Sequence, residues 1–313
     1  MAGTGIVIVT YFSETEIGAC LDAVLGENAE IVVVDNGSSD GAIAEVAHRG
    51  VRLIANPSNR GFAAAVNQGF AAFDATYVLV LNPDAVLRQG LDALRAACDL
   101  PGAAGAGGLL LGADGRPQVG FMVRSLPTPA SLVLEALLLN RIWPANPVNR
   151  RYRGLGLDYA HRMRVEQPAG AFLMIRRQVW EELGGFDERF YPLWFEDVDF
   201  CRRAVDRGYS WYYEPQAVAV HAGAHSIAKI TVEMRRVYWY RSLLRYSAAH
   251  FGPAAFRMVC LAVLVGSLVR ALGESAFNRS LKPWASYGKI ARLAGRPLLF
   301  GWRDEVVVPG PVS

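Results

Sequence analysis

Three carboxylate positions in this chain fall where polar groups reach a ligand. Asp35 closes the apolar run of V-V-V-D-N-G-S-S-D-G (residues 32–41), and Asp84 follows V-L-V-L-N-P-D-A (78–85). A buried strand ending in a carboxylate is how an α/β protein sets charge at the mouth of its sheet. The third position is F-E-D-V-D-F (195–200), where Glu196 and Asp197 stand at the expected start of a helix. Acids there favour the positive end of the helix dipole. They also supply a general base, worth about 10²–10⁴-fold in rate. Together the set points to a nucleotide, a metal ion and a hydroxyl nucleophile.

Asp35 can accept the ring N–H of a uracil or thymine, and the turn Asn36–Gly41 lets a ligand approach backbone. Asn59-Arg60-Gly61 precedes a helix, so Arg60 can meet a phosphate there, with Asn67 offering a polar contact further on. The hard oxygen of Asp84 suits Mg2+ or Mn2+, ions that also bridge a diphosphate. His221 ends an apolar strand and is a candidate partner for Asp84 on the metal, with His225 four residues on. Tyr191, Trp194 and Phe195 would floor a sugar ring. Each of these also has a plainer reading as a cap, a turn or a core side chain.

The elements that must position them follow from hydrophobic spacing. Strands are expected at 6–10, 30–34, 51–54 and 76–81. Helices between them are marked by Ile17–Leu25, by Phe62–Phe73 and by Leu87–Cys98. That alternation predicts an α/β fold, a mostly parallel sheet with helices on both faces. After residue 100 the pattern changes. Ala103–Leu111 and Pro117–Val123 read as strands of a different layer, 131–139 as a helix, and Pro144–Arg153 as a loop. Ala169–Ile175 reads as a strand, a helix begins near Glu196, and Ser210–Tyr213 and Ala217–His221 read as two short strands. From Val232 the chain is helical. Its most apolar stretch, Phe256–Leu272, has only 12 residues between Arg257 and Arg270, short of the roughly 20 of a membrane span. It is expected to pack or to lie on a membrane.

Of 313 residues, 52% are hydrophobic and 19% charged, a composition that can bury a core and is far from disorder. The four cysteines are scattered without a C-x-x-C, so neither a disulfide framework nor a cysteine zinc site is expected. Residues 1–5 carry no basic residue and the following apolar run is short, which argues against a secretory leader and for the cytoplasm. Residues 228–303 hold 13 Lys and Arg against Glu233 and Glu274. That region therefore carries +11 while the remainder carries −8, giving +3 overall. The basic part suits an anionic surface. Two domains are expected: 1–228, catalytic, and 229–313, helical, basic and membrane-associating.

The chain resembles the inverting family 2 glycosyltransferases of GT-A fold, in particular the rhamnosyltransferase-like enzymes of bacterial cell-surface polysaccharide assembly. The resemblance spans about residues 5–250. Its motifs are Thr10-Tyr11, V-V-V-D-N-G-S-S-D-G, N-P-S-N-R-G-F-A-A-A-V-N-Q-G (56–69), L-N-P-D-A (81–85), Q-P-A-G-A-F-L-M-I-R-R (167–177) and G-G-F-D-E-R-F-Y-P-L-W-F-E-D-V-D-F-C-R-R (184–203). Each is weak alone; their order and spacing are specific. The resemblance implies a GT-A, Rossmann-like mixed sheet with a helical C-terminal extension. It implies that Thr10 and Tyr11 line a nucleobase pocket, that Asp35 binds a pyrimidine, and that Asn59, Arg60, Gly61 and Asn67 belong to the donor site. Asp84 matches the last acid of a D-x-D metal motif whose first acid is Asn82 here. Asp197 matches the catalytic base, Glu196 supports the acceptor, and His221 matches a metal-binding histidine of some members.

The implied reaction is metal-dependent transfer of a sugar, rhamnose among the candidates, from a UDP- or dTDP-sugar to a hydroxyl. The acceptor is a saccharide or is lipid-linked. Expected partners are this donor, the acceptor and a membrane surface touched peripherally from the cytoplasmic side. A homo-oligomer is compatible, and nucleic acid is not expected. A sugar nucleotidyltransferase would need a Gly-rich loop after strand one, where Tyr11-Phe12-Ser13-Glu14 stands, and an oxidoreductase would need G-x-G-x-x-G there. A non-catalytic binding or assembly protein is the remaining rival, and the retained acids argue against it.

Overall fold

A computed structural model describes residues 3–223 and 229–303. Its first part alternates strand and helix: β1 (Thr4–Thr10), α1 (Glu14–Val24), β2 (Glu30–Asp35), α2 (Ala42–His48), β3 (Arg52–Ala55), α3 (Phe62–Ala71) and β4 (Tyr77–Leu81). These four strands pair in parallel, in the order β3-β2-β1-β4. β1 is buried along its whole length. Its alternate residues serve two cores: Val7 and Val9 pack with Val66 and Phe70 of α3, whereas Ile6 and Ile8 pack with Ile17 and Leu21 of α1. A strand covered by helices on both faces reads as this kind of continuous apolar run.

The chain continues through β5 (Ala85–Gln89), α4 (Leu91–Cys98), β6 (Ala103–Leu111), β7 (Val123–Arg124), α5 (Pro129–Ala136), α6 (Leu139–Ile142) and α7 (Pro147–Tyr152). Then come β8 (Met163–Val165), β9 (Gln167–Pro168), β10 (Phe172–Arg176), α8 (Arg177–Leu183), α9 (Glu196–Asp206) and β11 (Ser210–His221). The sheet extends past β4 as β10-β6-β11-β5, with β8 also on β11. β10 runs antiparallel to β4 and β6, and β6 runs parallel to β11. β7 and β9 form a separate ribbon. The result is the mixed α/β sheet that the resemblance implies, less parallel than the alternation of strand and helix predicts, because β10, β5 and β8 pair antiparallel.

Several boundaries differ from expectation. β6 belongs to the main sheet and not to another layer. Leu87 lies in β5, so the following helix starts only at Leu91. Pro144–Arg153 is not all loop: Asn146 caps α7 by accepting the backbone N–H of Asn149. The two short strands expected at 210–221 are one strand. Its register slips between Glu214 and Val218, and that irregularity absorbs Pro215, which cannot donate to a ladder.

Three helices end the described chain: α10 (Val232–His250), α11 (Pro253–Asn278) and α12 (Pro283–Phe300). They share the core of α3 and β10 through Val237, Leu243, Leu244 and Val263. They also grip the segment around α9. Ser242 donates to the Leu193 carbonyl (3.2 Å), Arg245 to the Arg189 carbonyl, and His250 Nε2 lies 2.7 Å from Asp199, which Arg203 holds from its other oxygen. The apolar stretch expected to be too short for a span is part of one 26-residue helix, α11, long and apolar enough to cross a membrane by length and composition. One face of it is nonetheless buried in protein.

Candidate active site

The parallel strands end at a cleft of about 890 Å³, within the range that holds a small ligand. Val9 and Tyr11 reach it from β1, Asn36 from β2, Asn59 from before α3, and Asn82-Pro83-Asp84 from β4. Phe121, Arg124, Gln167 and Gly170 come from the other side, and Leu193–Val198 close it. Asp84, Glu196 and Asp197 thus border one cavity.

Asp35 does not. It is fully buried, and its four acceptor positions are spent at home. Oδ1 accepts the backbone N–H groups of Gly37 (3.1 Å) and Ser38 (2.8 Å), while Oδ2 accepts the hydroxyls of Thr10 (2.9 Å) and Ser38 (2.5 Å). Asp35 and Thr10 therefore hold the turn from behind the wall and are not among the residues that line the cleft. Asn36 is the residue that surfaces, tied by its amide to the Gly61 carbonyl (3.0 Å). Arg60 is exposed and does not line the cleft. Gly61 lies under Tyr191, whose ring leaves no room for a Cβ. Tyr191 is buried against that backbone instead of flooring a sugar. Asn67 clamps α3 to the 186–188 loop, bonding Phe186 in both directions and Glu188. It too stands away from the cleft.

The metal candidates form one corner. His221 Nε2 lies 3.4 Å from Asp84 Oδ1 and 3.5 Å from Asn82 Nδ2. Gln118 sets the imidazole: its Nε2 donates to the His221 carbonyl (2.8 Å), which leaves its Oε1 to accept from Nδ1 (3.0 Å). A proton on Nδ1 makes Nε2 of the neutral ring a lone pair aimed toward Asp84, the arrangement that suits a metal-binding histidine. Phe121 stacks on the ring (5.2 Å between centroids) and Arg124 lies over the other ring system at 5.9 Å. Among the described residues no group of three or more His, Cys, Asp or Glu is placed to hold a metal. The protein thus offers this pair with Asn82, and further ligands must come from substrate or water. His225 lies outside the described residues.

Asp197 and Glu196 form the opposite corner. Trp194 and Phe195, just before them, have left-handed backbones (φ 74° and 72°). Bulky residues adopt that conformation only at about 1–3 kcal/mol each. Phe195 is held in it by Tyr246 (5.5 Å), a residue of α10. The bend delivers the first turn of α9 to the cleft. Asp197 Oδ2 accepts from Gly170 N–H (2.9 Å) and Gln167 Nε2 (3.3 Å), and Oδ1 from Val198 N–H (2.8 Å). A Cβ on Gly170 would stand 3.0 Å from that of Asp197, so any side chain there presses on the carboxylate. Burial raises the Asp197 pKa, while these N–H groups and Arg124 pull the other way. Glu196 is pushed well above the usual carboxylate range, by burial first and then by the Asp197 charge. Its Oε2 is buried without a hydrogen-bond partner. Of two neighbouring carboxyls raised to different extents, the higher suits a hydrogen-bond donor and the lower a base.

Sequence reading missed Asn36, Gln118, Phe121, Arg124 and Gln167. Gln118 and Phe121 fall where a strand was expected, and His221 and Gln118 are 103 positions apart.

The fold itself is that of GT-A glycosyltransferases. The chain superposes on a mannosyltransferase from Pyrobaculum calidifontis solved with GDP-Man and Mn2+ (TM-score 0.53, 16% identity, 96% of this chain and 87% of that one). It also superposes on residues 1–349 of TarS from S. aureus (TM-score 0.50, 14% identity, 94% and 90%). In sequence, residues 5–107 match the family model for glycosyl transferase family 2. The N-acetylglucosaminyl-diphospho-decaprenol L-rhamnosyltransferase of Mycobacterium tuberculosis is 31% identical over 274 residues, 77% of this chain and 88% of that protein. The low-salt glycan biosynthesis hexosyltransferase Agl10 of Haloferax volcanii is 28% identical over 204 residues, 64% and 60%. The chain belongs to glycosyl transferase family 2 and is a glycosyltransferase.

Proposed function

We propose that the enzyme transfers a deoxyhexose such as rhamnose, with inversion, from a pyrimidine nucleoside diphosphate (UDP or dTDP) to a hydroxyl of a lipid-linked glycan. It would work at the cytoplasmic face of a membrane. The observation that carries this reading is one cleft bordered by Asp84 and His221 at one corner and by Glu196 and Asp197 at the other. The mycobacterial relative, a rhamnosyltransferase by name, supports the sugar and the lipid carrier.

In this reading Tyr11, Asn36 and Asn59 bound the nucleoside, with Thr10 and Asp35 shaping the wall. Asp84 and His221 would hold a divalent ion; the imidazole nitrogen in the set favours Mn2+ over Mg2+. Such an ion, when bound, offsets charge on the departing diphosphate. Asp197 takes the proton of the acceptor hydroxyl as that oxygen attacks the anomeric carbon in a single in-line displacement. Glu196, holding its proton, offers a hydrogen bond to the same or a neighbouring hydroxyl. Trp194 and Phe195 exclude water beside it.

The test is calorimetric titration of dTDP- and UDP-sugars with and without Mn2+. Tight binding of one pyrimidine donor that needs Mn2+ and is lost in Asp84→Ala supports the reading. Donor binding indifferent to both the ion and the substitution would remove the metal corner from it.

A further inference from the structure

The outer surface of the C-terminal helices has a property that the cleft does not explain. On α11, Met258, Leu261, Val265, Leu268, Val269 and Leu272 are exposed. Their spacing puts them on one stripe of the helix, about 21 Å long at 1.5 Å per residue. Six large aliphatic side chains in a row exceed what a monomer ordinarily leaves in water. Arg257 and Arg279 stand exposed at the two ends of α11, and Lys282, just before α12, and Arg292 on it are exposed too. From residue 253 to 303 the single acid is Glu274, and it is occupied by Arg236 (2.9 and 3.0 Å) and Tyr287 (2.7 Å).

A second exposed apolar group is held with unusual care. Ile142 is 78% and Trp143 62% exposed. Three buried asparagines fix the backbone that presents them. Asn140 donates to Glu135 (2.9 Å), Asn146 donates to Asn140 (3.0 Å) and to the Trp143 carbonyl (2.7 Å), and Asn149 donates to the Pro144 carbonyl (2.7 Å). Arg141 and Arg150 are exposed beside this loop. A tryptophan tip over arginines is the pattern of a side chain seated at a lipid headgroup layer.

We propose that the outer stripe of α11 and the Ile142-Trp143 tip dock the enzyme on an anionic bilayer, with α11 lying in the plane of the interface and not crossing it. The inner face of α11 is committed to protein. Gly266 sits so close to α5 that a Cβ would fall 1.9 Å from the Ala136 carbonyl oxygen, and Arg270 donates to the carbonyls of Ala136 (2.6 Å) and Glu135 (3.1 Å). A spanning α11 would have to drag these partners into lipid or lose them. Charge decides between a bilayer and a second copy of this chain. Two such faces would bring like charges together, whereas anionic lipid attracts them. The inference deepens the reading of a lipid-linked acceptor and rests on it for its purpose. Leu132 and Glu135 of α5 line the cleft, and α11 packs directly on α5 through Gly266 and Arg270, so a single helix separates the docked one from the cleft.

The test is flotation of the full chain with phosphatidylcholine vesicles, with and without phosphatidylglycerol, in the absence of donor and acceptor. The wild type is expected to float with the anionic vesicles and far less with the neutral ones. Leu261→Ser with Leu268→Ser, and separately Ile142→Ser with Trp143→Ser, should each lower partitioning by about tenfold or more. Arg279→Glu with Lys282→Glu should do the same. Unchanged melting and donor hydrolysis in these variants would show that the fold survives. Wild type that stays unbound to both vesicle types overturns the proposal. So do variants that float like wild type, and so does a wild-type dimer that the α11 variant converts to monomer. A soluble acceptor would overturn the lipid-linked reading and leave the vesicle result standing, so the two failures are separable.

Discussion

On the side of the cleft built by β1, β2 and α3, buried polar groups bond to the protein itself. Asp35 accepts four hydrogen bonds from its own turn and from Thr10, and Asn36, Asn56 and Gln68 interlock. Across the cleft the account is left open. Glu196 Oε2 is buried without a partner, two aromatic residues sit in left-handed backbone, and both carboxyls are raised. One wall is internally satisfied; the other is kept in a costlier state by the packing around it. That division is what a transferase requires, since binding tolerates a relaxed site whereas proton transfer needs a carboxyl displaced from its resting pKa.

The contrast can be broken at its costlier wall. Asp197→Asn keeps the shape and the acceptor oxygen that Gly170 bonds, yet removes the base. A fall in kcat of about 10²–10⁴-fold with donor affinity unchanged is expected, and full activity would end the assignment. Gly170→Ala pushes on the same carboxylate through a single methyl, and steady-state kinetics should report a loss approaching about 10²-fold. Gln118→Ala frees the His221 ring. A Mn2+ titration should read weakening of about 10–100-fold, with the apo protein's melting temperature little changed.

The smallest effect is on stability. The fold raises the Glu196 pKa above 4.5, so its contribution is full below that pH and is lost as pH climbs through the raised value. Glu196→Gln cannot titrate. Its melting temperature should decline less than that of the wild type on going from acid to alkaline buffer. Asp197 is raised in the same direction and leaves some slope behind. An identical slope in both proteins would mean that Glu196 ionises as freely in the fold as outside it.

The parallel half of the fold was legible because its strands are buried on both faces and its helices are amphipathic. Glu196 and Asp197 were legible for a related reason: an apolar helix pattern fixes where the helix begins. What Asp35 bonds was not legible, because a strand end locates a carboxylate without saying whether it faces outward or folds back onto its own turn. Gln118 and Phe121 fall in a stretch read as a strand, Pro117–Val123, of which only Val123 joins a named strand, and their contact with His221 exists only once the sheet closes. β11 was split in two by Pro215, since a proline argues against a strand until a bulge accommodates it.

Asp199 bonds Arg203 of its own helix and His250 of α10, while Ser242 of α10 holds the Leu193 carbonyl. The first turn of α9 therefore takes its position from the far end of the chain. A chimera built to borrow another relative's acceptor preference by exchanging only the terminal helices would inherit mismatched fasteners beside Glu196 and Asp197. The natural module for such grafting runs from residue 190 through α10, which keeps the contacts of Ser242 and His250 with their partners.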